Sequence, residues 1–122
     1  MTSPSRPDAA GSEILLLERD EGLREPLRIW LSERWNVHVA ADAADAREDF
    51  SPSLAVVVMS DTLLLETPEK LLETFADRGY TNPVVVLASR MDRPAADGLD
   101  IHYLSKPVTR DALLETVADL TE

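Results

Sequence analysis

The chain has 122 residues, a formal net charge of −11 and no cysteine. That length suits one domain able to bury about two-thirds of its unfolded surface unaided. The missing thiols exclude a disulfide framework, a thiolate metal site and a cysteine nucleophile. The acid excess argues against nucleic acid as a direct partner, because phosphate binding needs a basic patch and none is visible.

Met1–Ser12 is rich in Ser, Pro and Ala and has no apolar core, so it is neither a signal peptide nor a membrane span. It is expected to be a disordered leader, followed by one domain over residues 13–122, in a protein expected to be cytoplasmic with no membrane partner. Lys70 and Lys106 are the only lysines among 12 basic residues. Acid excess with lysine depletion suits high salt, where self-repulsion is screened over roughly 3 Å at 1 M.

Ile14-Leu15-Leu16-Leu17 is a short apolar run that ends in Glu18, Arg19 and Asp20. Leu23, Leu27, Trp30 and Leu31 then recur at helical spacing with charges between them. Pro26 lies inside that pattern, so the regular helix begins there or has a distorted first turn. Trp30 is read as core and Trp35 as partly exposed. Val37 to Ala41 reads as a strand, and Asp42 caps a short helix that runs to Phe50.

Leu54 to Met59 is continuously apolar and rich in β-branched side chains, with Ser60 and Asp61 after it. A strand with one wet face alternates apolar and polar residues; this one does not, so both faces should be buried in a parallel sheet covered by helices. In such sheets ligands gather at the carboxyl ends of the strands. Leu63-Leu64-Leu65 follows in a loop-length segment, exposed unless it folds back.

Thr67, Pro68 and Gly79 punctuate the next helix, whose buried side is Leu71, Leu72 and Phe75. Pro83 introduces a second buried strand, Val84 to Ala88. Ser89 to Asp100 is polar, holds Pro94 and Gly98, and leaves room for two helical turns at most. Ile101 to Leu104 is the last strand. After Lys106-Pro107, Thr109 caps a final helix with Leu113, Leu114, Val117 and Ala118 inward, and Val108 and Leu113 are spaced as a hydrophobic staple. Strands alternating with helices imply right-handed crossovers and an α/β doubly wound parallel sheet.

The run Ile14 to Asp20, the buried third strand, the run Pro83 to Ser89 and Tyr103-Leu104-Ser105-Lys106-Pro107 together resemble the receiver domain of two-component response regulators. The likeness spans about Glu13 to Leu120. Tyr103 to Leu120, with the shortened helix before it, looks most like haloarchaeal receivers of the HalX type. The resemblance implies a flavodoxin-like (βα)5 fold, a five-stranded sheet in the order 2-1-3-4-5 with a shortened fourth helix.

Receivers of this family carry two acids after the first strand that hold Mg²⁺. An aspartate ending the third strand takes a phosphoryl group from a histidine kinase, and a Thr or Ser after the fourth strand and a Lys bind that group. An aromatic switch lies on the fifth strand. Carried over, Glu18 matches the first acid and Arg19 replaces the second. The aspartate position falls on Val58 if aligned from Pro52, or on Ser60 if aligned back from the Thr67 helix. Ala88 replaces the hydroxyl residue, with Ser89 in its place if the alignment slips by one. Tyr103, Lys106 and Pro107 match, and Pro107 carries a cis bond in the family.

Mg²⁺ needs oxygen ligands and compensating negative charge. At an effective dielectric of 20 a charge pair near 4 Å is worth roughly 4 kcal/mol, so exchanging one carboxylate for Arg19 and losing another removes tight Mg²⁺ binding. The expected state is a metal-free pocket in which Glu18 neutralises Lys106, Arg19 or both. The plainer readings are that Arg19 points to solvent, Tyr103 is a half-buried strand aromatic and Lys106 is a structural ion pair. Asp20 could swing inward as a substitute acid. His38 and His102 have no metal-ligand partners at useful spacing and read as strand surface.

The expected function is therefore that of an atypical receiver, a pseudo-receiver without cofactor, which meets a kinase, an output protein or another signalling protein, or a second copy of itself. The alternative is a phosphorylation-competent receiver using Asp61 in a shifted register. A flavodoxin-like cofactor or nucleotide protein is disfavoured, since none of the four glycines forms a phosphate-cradling loop after a strand. No triad or carboxylate pair suggests an enzyme. The charge pattern predicts a melting temperature that rises steeply between dilute buffer and molar salt; equal melting curves in the two would contradict the high-salt reading.

Overall fold

A computed structural model describes residues 12–63, 66–89 and 93–121. Apart from Ser12, the expected leader lies outside these residues, as do Leu64 and Leu65. Five strands and four helices follow one another as β1 (Glu13–Leu17), α1 (Glu21–Ser32), β2 (Asn36–Ala40), α2 (Ala43–Asp49), β3 (Val56–Ser60), α3 (Pro68–Asp77), β4 (Val84–Ala88), β5 (Ile101–Ser105) and α4 (Arg110–Thr121). The strands form one parallel sheet in the order β2-β1-β3-β4-β5. This is the doubly wound, flavodoxin-like arrangement that the strand–helix alternation implies.

Every residue of β3 and β4 is buried, as their unbroken apolar runs require. The two faces of the sheet carry separate cores. Leu15, Leu17, Val57, Met59, Val84 and Val86 pack with Leu71, Leu72 and Phe75 of α3. Ile14, Leu16, Val56, Val58, Val85 and Leu87 pack with Leu27 and Leu31 of α1 and Leu113, Leu114 and Val117 of α4. Phe50 stacks on Phe75, ring centroids 4.6 Å apart, and meets Tyr80 edge-on. The Tyr80 hydroxyl donates to the Pro83 carbonyl, and burial pushes its pKa upward.

Local signals set most boundaries. Asp20 accepts from the Gly22 amide at 2.8 Å, Asp42 from the Asp45 amide at 2.8 Å and Thr67 from the Lys70 amide at 3.3 Å, each capping the helix that follows. Thr109 does the same for Ala112. Gly79 has a φ of 88°, which ends α3 in a conformation that favours glycine.

The structure departs from the sequence reading, or decides between its alternatives, in four places. Helix α1 begins at Glu21, so of the two readings of Pro26 a start at the proline is excluded: the Asp20 cap sets the start, and the proline, inside the helix, forfeits only the bond to the exposed Gly22 carbonyl. Trp35 is buried at 3% exposure while Trp30 is half-buried. The chain turns back after α1, with the Trp35 amide on the Leu31 carbonyl, and carries Trp35 under the sheet. Leu23, expected inside, is 48% exposed. Residues 93–100 contain no helix; they turn at Gly98 (φ 87°).

Leu63 is partly buried against the α2/α3 core. Glu33 at the end of α1 pairs with Arg110 at the start of α4, and this guanidinium holds the Glu33 carboxyl below the usual carboxylate range. Phe75→Ala should cost about 3–5 kcal/mol in urea unfolding, while Ile29→Ala, at a side chain 51% exposed, should stay within about 0.5 kcal/mol.

Candidate functional site

Glu18, Ser60 and Lys106 meet at the carboxyl ends of β1, β3 and β5. Strand alternation brings them together. Ile14 and Leu16 on β1, Val56 and Val58 on β3, and Leu104 on β5 all face α1 and α4, and the next residue in each series is Glu18, Ser60 or Lys106. Register does the rest: Leu17 pairs with Met59, so Glu18 and Ser60 stand side by side one step later.

The Lys106 ammonium donates to Ser60 Oγ at 2.7 Å and lies 3.6 Å from Glu18 Oε1. Glu18 is 1% exposed and Ser60 fully buried. The other Glu18 oxygen, Oε2, accepts from the Asp20 amide at 3.1 Å. Arg24 donates to the Glu18 backbone carbonyl at 3.1 Å, and the Thr62 amide donates to Ser60 Oγ at 3.1 Å. The Lys106 amide bonds to the Ala88 carbonyl, fixing the start of the Lys106-Pro107 turn, whose peptide bond is cis.

Asp61 belongs to a second cluster. It is 4% exposed, and its carboxylate accepts from the Ser89 amide at 2.8 Å, the Ser89 hydroxyl at 2.8 Å and the Thr62 hydroxyl at 3.3 Å. Its own amide donates to the Leu87 carbonyl. Asp61 is next in the alternation after Val57 and Met59, which face α3. Ser60 and Asp61 thus diverge across the sheet although adjacent in sequence.

Several residues considered as site members lie elsewhere. Val58 is fully buried among the apolar side chains beneath α1 and α4; the residue that faces Lys106 is Ser60. Arg19 is exposed, so Lys106 alone stands as the cation near Glu18 Oε1 among the described ion pairs. Asp20 is exposed and turned to the α1 cap. Ala88 contributes only its carbonyl. Tyr103 is half-buried; its hydroxyl donates to the Pro94 carbonyl at 2.7 Å and Arg93 lies 5.0 Å above its ring. His38 pairs with Glu13 at the surface, and His102 Nε2 lies 3.0 Å from Asp100 Oδ1 without hydrogen-bond geometry.

Sequence reasoning passed over Arg24 and Thr62. The placement of Arg24 inside the first turns of a helix starting at Asp20 would have brought it back towards Glu18. A hydroxyl directly after Ser60-Asp61 was the signal for Thr62.

The donor set does not fit a divalent cation. One carboxylate and one hydroxyl face an ammonium, and no three His, Cys, Asp or Glu side chains converge among the described residues.

No family model and no curated protein matches the chain. Solved structures do match. A response regulator receiver domain protein from Bacillus halodurans gives a TM-score of 0.81 at 16% identity, over 92% of this chain and 97% of that one. The signal receiver domain of an HD domain-containing protein from Pseudomonas fluorescens gives 0.78 at 23% identity, over 89% and 93%. A response regulator receiver domain protein from Clostridium thermocellum gives 0.77 at 18%, over 90% and 94%. These likenesses establish the receiver fold.

Replacing Lys106 by Met should destabilise the protein by roughly 2–4 kcal/mol, because a buried carboxylate loses its counter-charge. Glu18→Gln in the same chain should recover most of that loss in a double-mutant cycle followed by urea unfolding; additive losses would show that the two groups do not act as a pair.

Proposed function

We propose that this chain is an atypical receiver, a signalling module of the two-component type that does not accept a phosphoryl group on an aspartate and works by binding protein. The observation that carries this reading is the 2.7 Å bond from the Lys106 ammonium to Ser60 Oγ. A hydroxyl stands where receiver chemistry needs a nucleophilic carboxylate, and an exposed Arg19 stands where it needs a second metal-binding acid. A serine hydroxyl beside an ammonium has no base to take its proton, since the Glu18 carboxylate is paired with that same ammonium and the Asp61 carboxylate is held by Ser89.

The partner is a kinase, an output protein or another signalling protein, with a second copy of the chain as a further candidate. The high negative charge supports protein over nucleic acid. No described helix is long and apolar enough to cross a membrane, which accords with a cytoplasmic role. The kinship proposed with haloarchaeal HalX-type receivers rests on the Tyr103 to Leu120 stretch and the acid excess.

A second reading has its own observation. Asp61 holds the Ser89 hydroxyl and amide, a carboxylate beside a hydroxyl residue that follows the fourth strand. Against it stand the burial of Asp61 and the placement of Lys106 on Ser60. Incubation with acetyl phosphate and Mg²⁺, read by intact-protein mass, separates the two. The proposed function predicts no phosphoryl adduct; an adduct that disappears in Asp61→Asn would replace it with the second reading.

A further inference from the structure

Beside the Glu18–Lys106 pair lies a half-open cavity of about 390 Å³. Its walls are apolar, chiefly Leu23, Pro26 and Trp30 of α1 and Val108 after β5, and Glu18 and Lys106 form its polar end. An exposed leucine is ordinary by itself. The carboxylate is not. Glu18 Oε1 is buried, has no hydrogen-bond donor among the described residues, and sees Lys106 only at 3.6 Å. A buried carboxylate oxygen without a donor is costly, and it sits at the end of a cavity of the size and lining that small-molecule sites have.

We propose that this cavity binds a neutral, largely apolar small molecule carrying one hydroxyl or amide at its end. The head group donates the hydrogen bond that Glu18 Oε1 lacks and accepts one from Lys106, whose ammonium has three donors and spends one on Ser60. The apolar body lies along α1 between Leu23, Trp30 and Val108. The charge pair selects the head. An ammonium would be set against Lys106, and a carboxylate against Glu18 in a chain whose net charge is already −11. A neutral group that both donates and accepts meets neither penalty. The site stands apart from the proposed function, because it needs no phosphoryl acceptor and no particular protein partner.

Four probes of one shape test it: 1-naphthalenemethanol, 1-methylnaphthalene, 1-naphthylmethylamine and 1-naphthoate, each titrated into the full chain and followed by amide and indole resonances. The alcohol should bind saturably and about tenfold or more tighter than the other three. It should shift the Trp30 indole, the first turns of α1 and residues 106–108, and leave the Trp35 indole in place. Leu23→Glu, at an exposed position, should weaken the alcohol about tenfold with an unchanged melting temperature, and Val108→Trp, which fills the cavity, should weaken it at least as much. Glu18→Met should abolish the preference for the alcohol over the hydrocarbon; if that variant does not fold, the four-probe ranking alone decides the polar end.

No saturable binding up to the solubility limit overturns the proposal, as do shifts mapping elsewhere, equal affinity for alcohol and hydrocarbon, or preference for the amine or the naphthoate. Sedimentation showing a dimer that Leu23→Glu dissolves also overturns it, by giving the groove to a second copy of the chain.

Discussion

One buried carboxylate and one partly buried ammonium hold the carboxyl edge of this sheet in its present form. Lys106 lies between Glu18 and Ser60; Ser60 ends β3, and Glu18 and Lys106 directly follow β1 and β5. The pair is electrically balanced. A divalent cation would enter next to an ammonium with only one carboxylate to meet it, and would have to displace the interaction that keeps Lys106 and Glu18 inside. At this separation each such charge interaction is worth roughly 4 kcal/mol at an effective dielectric of 20, which on the proposed reading keeps the pocket free of metal.

The same period-two geometry that assembles this cluster excludes the nearest spare acid from it. Ser60 continues the face of Val56 and Val58, and Asp61 that of Val57 and Met59. Asp61 then satisfies itself with Ser89 and Thr62. Moving it to Lys106 would strip three donors from a buried carboxylate and turn a fully buried strand end. On the proposed reading, the domain keeps the receiver fold because its two cores, not its edge chemistry, stabilise it. The edge is then free to hold other contacts.

The fold was legible because its signals are local and agree with one another. The unbroken runs Leu54–Met59 and Val84–Ala88 announced strands buried on both faces, though the first strand starts only at Val56, and Asp42, Thr67, Gly79 and Thr109 marked helix ends by side-chain or backbone chemistry. The errors came where tertiary packing outranked local pattern. Helical spacing made Leu23 and Trp30 look alike to Leu27 and Leu31, but only the latter two are buried, while Trp30 is half-buried and Leu23 exposed. Trp35 follows the helix and obeys no period, and only the turn back towards β2 buries it. At the edge, sequence left Val58 and Ser60 as rivals two residues apart. Both lie on one face, so alternation could not separate them. The reach of Lys106 does.

Manganese, a paramagnetic stand-in for Mg²⁺, gives the most direct test of the charge balance. Titrated into the labelled protein at millimolar concentration, it should broaden surface acids without selecting the amides of residues 18–20 and 60–61. Saturable loss of those amides, suppressed in Glu18→Gln, would contradict the account, since it would place a divalent cation where one carboxylate and one ammonium are held to balance each other.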